Sequence, residues 1–125
     1  MITVLPSRDK SEIAELFKKH NLEFDDASAC VIATEKQNVL GYCLYRLTEK
    51  ETTIFVVEPQ GDLPLADGIL RSALHVAAEN FVLDAFYADC APIDLFRVLG
   101  FIKNEDEKRL NIDKLFGGCN CANKN

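Results

Sequence analysis

Basic residues are too few and too scattered in this sequence to form a patch. The 14 Lys and Arg stand singly or in pairs against 20 Asp and Glu, leaving a formal net charge of −6. Phosphate-backbone binding draws on clustered cations, so no nucleic-acid partner is expected. Long apolar runs are missing too: none approaches the roughly 18 residues that suggest a membrane span, and no membrane partner is expected. The first ten residues lack a charged-then-apolar signal pattern, so a cytoplasmic protein is expected. Five cysteines cannot all pair within one chain. Cys30, Cys43 and Cys90 lie in or beside apolar segments, where a thiol behaves as a small hydrophobe, and a reducing compartment fits best.

What is present suffices for a self-supporting core. The chain has 125 residues, 48% of them hydrophobic and 27% charged, which predicts one globular domain over residues 1–116 and a short tail over 117–125. "ITVLP" reads as a strand stopped by Pro6. Ile13, Leu16, Phe17 and His20 then recur at helical spacing, with Asp9 as N-cap and Glu12 as its capping-box partner. "ACVIATE", "VLGYCLYRL" and "TTIFVVEP" are three strands joined by short polar turns, hence antiparallel neighbours. Val39 to Tyr45 shows almost no alternation, as expected of a strand covered on both faces.

From Leu65 to Phe81 the periodicity is helical again. Ala66, Leu70, Ala73, Leu74, Ala77 and Phe81 form an apolar stripe, while Arg71, His75 and Glu79 line a polar one. His75 therefore reads as a solvated, paired side chain. "LDAFYAD" is a further strand, and "APIDLFRVLGF" a short helix with Pro92 in its first turn and Gly100 at its end. "LNIDKLF" reads as a last edge strand. Hairpins followed by a strand–helix–strand crossover predict an α/β domain with a mixed, mostly antiparallel sheet flanked by helices.

That order, with "VVEP…ADGILRSAL" and "LFRVLGF", resembles the GNAT superfamily of N-acetyltransferases over about residues 29–102. The resemblance implies acyl transfer from acetyl-coenzyme A, a cosubstrate, to an amine of a small molecule or a protein, with a homodimer as an option. In that family the loop after the fourth strand reads Arg/Gln-x-x-Gly-x-Gly/Ala, and its backbone N–H groups cradle the cofactor's pyrophosphate. A helix N-terminus offers free donors and a partial positive charge for such a group. The implied contacts are Val57, then Leu65, Ala66, Asp67, Gly68, Ile69 and Leu70, with Asp89 and Phe96 from the second family signature. Leu65 stands where the family has Arg or Gln, and Leu70 stands where it has Gly or Ala, so Leu70 is expected to crowd the backbone approach. Asp67 is expected to set a carboxylate beside the phosphates. Phe96 stands where the family has a Tyr that protonates the departing thiolate, and a phenylalanine has no proton to give. The resemblance offers Glu51, Glu58, Tyr87 and Asp89 as candidates for the base that deprotonates the incoming ammonium. A non-catalytic relative, using the cleft between its parted strands for another ligand or partner, is the alternative.

"GGCNCANKN" ends the chain with Cys119 and Cys121 two residues apart. No other His or Cys lies nearby in sequence to complete a four-ligand site, so a metal or redox role ranks third and no metal is expected. Both thiols follow a Gly-Gly break beyond the last apolar segment. Truncation after Phe116 is expected to leave the melting temperature nearly unchanged. A drop of many degrees, or metal that co-purifies with the full chain and is lost on truncation, is the contrary result.

Overall fold

Short apolar strands alternate with two longer helical segments, and the computed structural model, which describes residues 1–116, assembles them around one sheet. In chain order the elements are β1 (Thr3–Pro6), α1 (Lys10–Lys19), β2 (Ser28–Glu35), β3 (Asn38–Leu47) and β4 (Thr52–Glu58). Then follow α2 (Leu63–Glu79), β5 (Ala85–Tyr87), α3 (Ile93–Leu99), β6 (Ile102–Asn104), β7 (Arg109–Leu110) and a 3-10 helix (Ile112–Phe116). The sheet order is β1-β2-β3-β4-β5-β7-β6, antiparallel throughout except for the β4–β5 pair that α2 connects. The mixed, mostly antiparallel sheet expected from the sequence is the sheet observed.

The sheet separates two apolar clusters. On one face α2 and α3 pack Ala66, Ile69, Leu70, Leu74, Leu95 and Phe96 onto Val31, Cys43, Tyr45, Ile54 and Val57. On the other, α1 alone covers the sheet, setting Ile13 and Phe17 against Cys30, Tyr42, Leu44 and Val56. Adjacent residues of β3 thus belong to opposite clusters, as strand alternation requires. Gly41 through Tyr45 are all buried, which is why that stretch carries no polar residue.

Five local expectations need correction. Helix α2 starts at Leu63, two residues before Leu65, because Asp62 caps it: its carboxylate accepts the Leu65 N–H at 3.2 Å. Phe81 does not complete the apolar stripe; the helix stops at Glu79, and Phe81 sits at φ 64° and 91% exposed. Pro92 is the N-cap of α3 rather than a residue of its first turn. "LNIDKLF" is not an edge strand, since β7 lies between β5 and β6 and the chain then enters the 3-10 turn. The Asp9 cap does form, accepting from Ser11 N–H at 2.9 Å and Glu12 N–H at 3.3 Å. Glu12, however, accepts from Ser7 Oγ at 2.7 Å instead of closing the capping box.

Burial leaves a pH signature. It pushes the Cys30 thiol up to about 12, and raises the Cys43 thiol and the Tyr45 phenol in the same direction. Unfolded thiols titrate near 8.5, so between about pH 8.5 and 12 the unfolded chain releases protons that the folded chain retains. Stability present at neutral pH is therefore lost as pH rises through that window, by up to ~1.4 kcal/mol per pH unit for each such group. Urea unfolding across pH 7 to 11 should show the decline, and Cys30→Ala should make it shallower.

Candidate active site

The opening in this fold is made by strand geometry. In the β3–β4 ladder Leu44 pairs with Val56 and Tyr45 with Ile54, so Phe55 is an extra residue in β4. Such a bulge bends the strand and turns two successive side chains to one face. Phe55 and Val56 accordingly both join the α1 cluster, Phe55 lying edge-on to Phe17 with ring centroids 6.0 Å apart. Parallel pairing of β4 with β5 covers only Thr52 to Ile54 against Ala85 to Tyr87, and its last bond runs from Ala88 N–H to the Ile54 carbonyl at 3.0 Å. From Phe55 to Glu58 no strand lies on that side of β4 among the described residues. The exposed thiol of Cys90 reaches the Phe55 carbonyl at 3.8 Å at the mouth of this gap.

At the end of β4 the chain turns sharply through a cis Glu58–Pro59 bond into the cap of α2. Gly41 makes the turn fit: an added Cβ would lie 2.3 Å from the Glu58 carbonyl oxygen, 2.7 Å from Pro59 Cδ and 2.9 Å from Ile69 Cδ1. The Leu65 N–H is taken by the Asp62 carboxylate, the Ala66 N–H by the Asp62 carbonyl at 2.8 Å, and Pro64 has none to offer. Among the described residues the N–H groups of Gln60, Gly61, Asp62 and Leu63 have no protein acceptor. Unpaired backbone donors next to a helix N-terminus are of the kind that suits an anion.

The candidate residues fall at different places. Glu58 is half-buried at the open end of β4; it directly opposes Tyr42 and, by alternation from Val56, faces the α1 side. Glu51 is exposed in the β3–β4 turn at the closed end of the same strand, roughly 20 Å from Glu58 along the chain. Tyr87 is buried in the α2 cluster with its ring 5.5 Å from that of Phe96, which is itself fully buried. Asp89 is exposed beside the gap and ion-pairs with Lys108.

Among the presumptive cofactor contacts, Val57, Ala66, Ile69 and Leu70 are fully buried on the α2 face. Leu70 therefore points into the core and does not crowd the backbone approach. Leu65 and Gly68 line a shallow groove beside β1, with room for a ligand where a Gly68 Cβ would meet nothing within 4 Å. Asp67 is paired with Arg71 at 2.9 Å, so its charge is partly compensated. Asp62 is the carboxylate that stands at the helix N-terminus. Sequence reasoning did not identify Asp62 as the cap, the donors at 60–63, the Phe55 bulge or the place of Cys90 beside the gap. Asp followed by Pro two residues later was the available signal for the first of these.

No family model and no curated protein sequence matches the chain. Solved structures do. A ribosomal-protein-alanine N-acetyltransferase from Brucella melitensis superposes with a TM-score of 0.56 at 15% identity, covering 80% of this chain and 89% of that one. A chain named as a GNAT-family acetyltransferase, from Desulfovibrio desulfuricans, gives 0.52 at 15% identity, covering 70% and 72%.

The fold is that of the GNAT acetyltransferases.

A third match is an N-acetyl transferase of Escherichia coli solved bound to coenzyme A, at TM-score 0.50 and 17% identity, covering 83% of this chain and 93% of that one. At these identities the likeness is one of fold. Within the GNAT fold the gap beside β4 and the free donors at the start of α2 stand next to each other in this chain, joined by the five residues from Glu58 to Asp62. Among the described residues no group of three His, Cys, Asp or Glu is arranged to hold a metal, and no helix is long and apolar enough to cross a membrane. Cys119 and Cys121 lie outside the described residues.

The turn at Gly41 is the part of the site most open to a stability measurement. Gly41→Ala should cost about 1–3 kcal/mol, because the atoms it meets include main chain that cannot rotate away. Urea denaturation of the wild type and variant reads this directly, and an unchanged midpoint would contradict the contact.

Proposed function

We propose that this chain is an acyl-coenzyme A-dependent N-acyltransferase, with acetyl-coenzyme A as donor and an amine as acceptor. The observation that carries the reading is the early end of the β4–β5 pairing, directly beside four backbone N–H groups that have no protein partner. A slender chain ending in a diphosphate matches that combination: the gap admits the chain, and the N–H groups of Gln60 to Leu63 receive the phosphates. The fit has one opposing charge, the Asp62 carboxylate. Coenzyme A would supply an acyl group activated as a thioester.

The protein's own residues then have distinct tasks. Glu58, on the α1 side of the open strand, takes the proton from the acceptor ammonium, leaving the amine free to attack. The C–N bond forms and the C–S bond breaks, its electron pair leaving on sulfur, while the second proton that the nitrogen sheds in becoming an amide passes to solvent water. No hydroxyl stands at Phe96 to protonate that sulfur, and a thiolate of pKa about 8.5 departs tolerably without one. Holding amine and thioester in line contributes several kcal/mol of rate acceleration by itself. Asp89 and Cys90 border the gap from the β5 side, where they bear on the cofactor's approach rather than on the proton. The missing donor at Phe96 also favours, as a second reading, a relative that binds coenzyme A without turning it over.

Thermal shift with acetyl-coenzyme A is the direct test, since a ligand that binds only the folded state raises the melting temperature. Wild type should be stabilised at millimolar cofactor. Asp62→Asn keeps a capping side chain and removes the charge, so affinity should rise by up to about tenfold at low salt and less at high salt. Asp67→Asn should change affinity far less. Gly68→Ala should raise the melting temperature of the free protein by a few degrees, as expected of a helix-interior glycine, yet weaken cofactor binding. Glu58→Gln should abolish thiol release from acetyl-coenzyme A with amines while leaving binding intact. Absence of any shift at millimolar cofactor overturns the proposal, and a shift without thiol release in wild type selects the second reading.

A further inference from the structure

On the α1 face of the sheet a cavity of about 380 Å³ opens between α1 and the β2–β3 hairpin. Its helical wall is Glu12, Glu15, Leu16 and Lys19, which share one face of α1 at spacings of three, four and seven. Ile32, Val39 and the ring of Tyr42 make its sheet wall. The Tyr42 ring is held in place, because its hydroxyl shares a 2.8 Å hydrogen bond with His20 Nε2. Lys19 Nζ stands 6.0 Å from the centroid of that ring.

Charge is sorted along the cavity. Two carboxylates lie toward the N-terminal end of α1, and one ammonium lies at the other end, about 10 Å from Glu12 and about 6 Å from Glu15 along the helix axis. Glu12 takes a hydrogen bond from Ser7 Oγ, but among the described residues neither Glu12 nor Glu15 is in an ion pair. Glu12 is half-buried beside apolar surface, whereas Glu15 and Lys19 are exposed, and a cation that reaches the two carboxylates is drawn to them. Between the two poles the wall is aliphatic.

We infer that this cavity binds a basic amino acid of lysine or ornithine type, with its carboxylate on Lys19, its stem on Ile32 and Val39, and its distal cation between Glu12 and Glu15. Tyr42 is the direct cross-strand partner of Glu58. The α-amino group, adjacent to the carboxylate, therefore lies at the end of the cavity nearest Glu58. Its role as acceptor rests on the acyltransferase reading; binding of the amino acid does not.

Calorimetric titration of the full chain without coenzyme A tests the cavity with three probes of equal stem: L-lysine, L-norleucine and 1,5-diaminopentane. Norleucine lacks the distal cation, and the diamine lacks the carboxylate. Lysine should bind, and each of the other two should bind roughly tenfold or more weakly, as loss of a charge-assisted contact implies. Lys19→Gln should erase the preference for lysine over the diamine and keep that over norleucine. The double variant Glu12→Gln, Glu15→Gln should do the reverse. Equal binding of all three probes, or no binding of lysine at millimolar concentration by a protein whose circular dichroism melt is normal, overturns the inference. Lysine binding with no consumption of acetyl-coenzyme A upholds the cavity and defeats acyl transfer. Acetylation of other amines by a chain that does not bind lysine does the opposite.

Discussion

One surplus residue in β4 governs the rest of the site. Were this residue taken up by plain alternation instead of a bulge, Phe55 alone would face α1, and Val56 and Glu58 would face α2. With the bulge, two neighbouring side chains turn toward α1, and Glu58 two residues later faces the same way. The added twist of a bulge also draws β4 away from a straight parallel partner, in line with the last inter-strand bond at Ile54 and Ala88. The gap beside β4 and the α1-facing side of Glu58 thus share a common origin in the backbone.

The helix that follows is held to this strand by contacts with little tolerance. Gly41 lets the Glu58 carbonyl, the Pro59 ring and Ile69 converge on one point of β3, which fixes where α2 begins relative to the end of β4. The cap then consumes the donors that a helix start usually leaves free, and the loop before it retains them. The backbone N–H groups left without a protein acceptor among the described residues are therefore those of the loop from Gln60 to Leu63 rather than those of Leu65 and Ala66 in the first turn of the helix.

Layer order and strand direction were legible in the sequence because they follow from period and turn chemistry, which are local. The three antiparallel strands, the α2 crossover and the burial of Leu74 needed nothing beyond those signals. What was not legible depended on distant partners. A bulge at Phe55 depends on β3, and the short β6 and β7 exist because each completes the other against β5. Periodicity places the α2 start at Leu65 because the apolar stripe begins there, whereas the cap that sets the true start is the polar Asp62 with Pro64. Leu70 looked like an obstruction because a position in a motif says nothing about which way a side chain points. Of the acids, Glu51 and Glu58 were equivalent in composition, and only strand ends separate them.

Among the described residues the two apolar clusters lie on opposite faces of the sheet. Substitutions that reshape the cavity under α1 are therefore remote from the contacts that seat α2 and the donors at its start, and their effects should combine additively. Side chains on one side of the sheet can change while the packing on the other is kept. The sheet acts as a partition between two separately adjustable halves, and among the described residues α1 is the one helix that packs on its side.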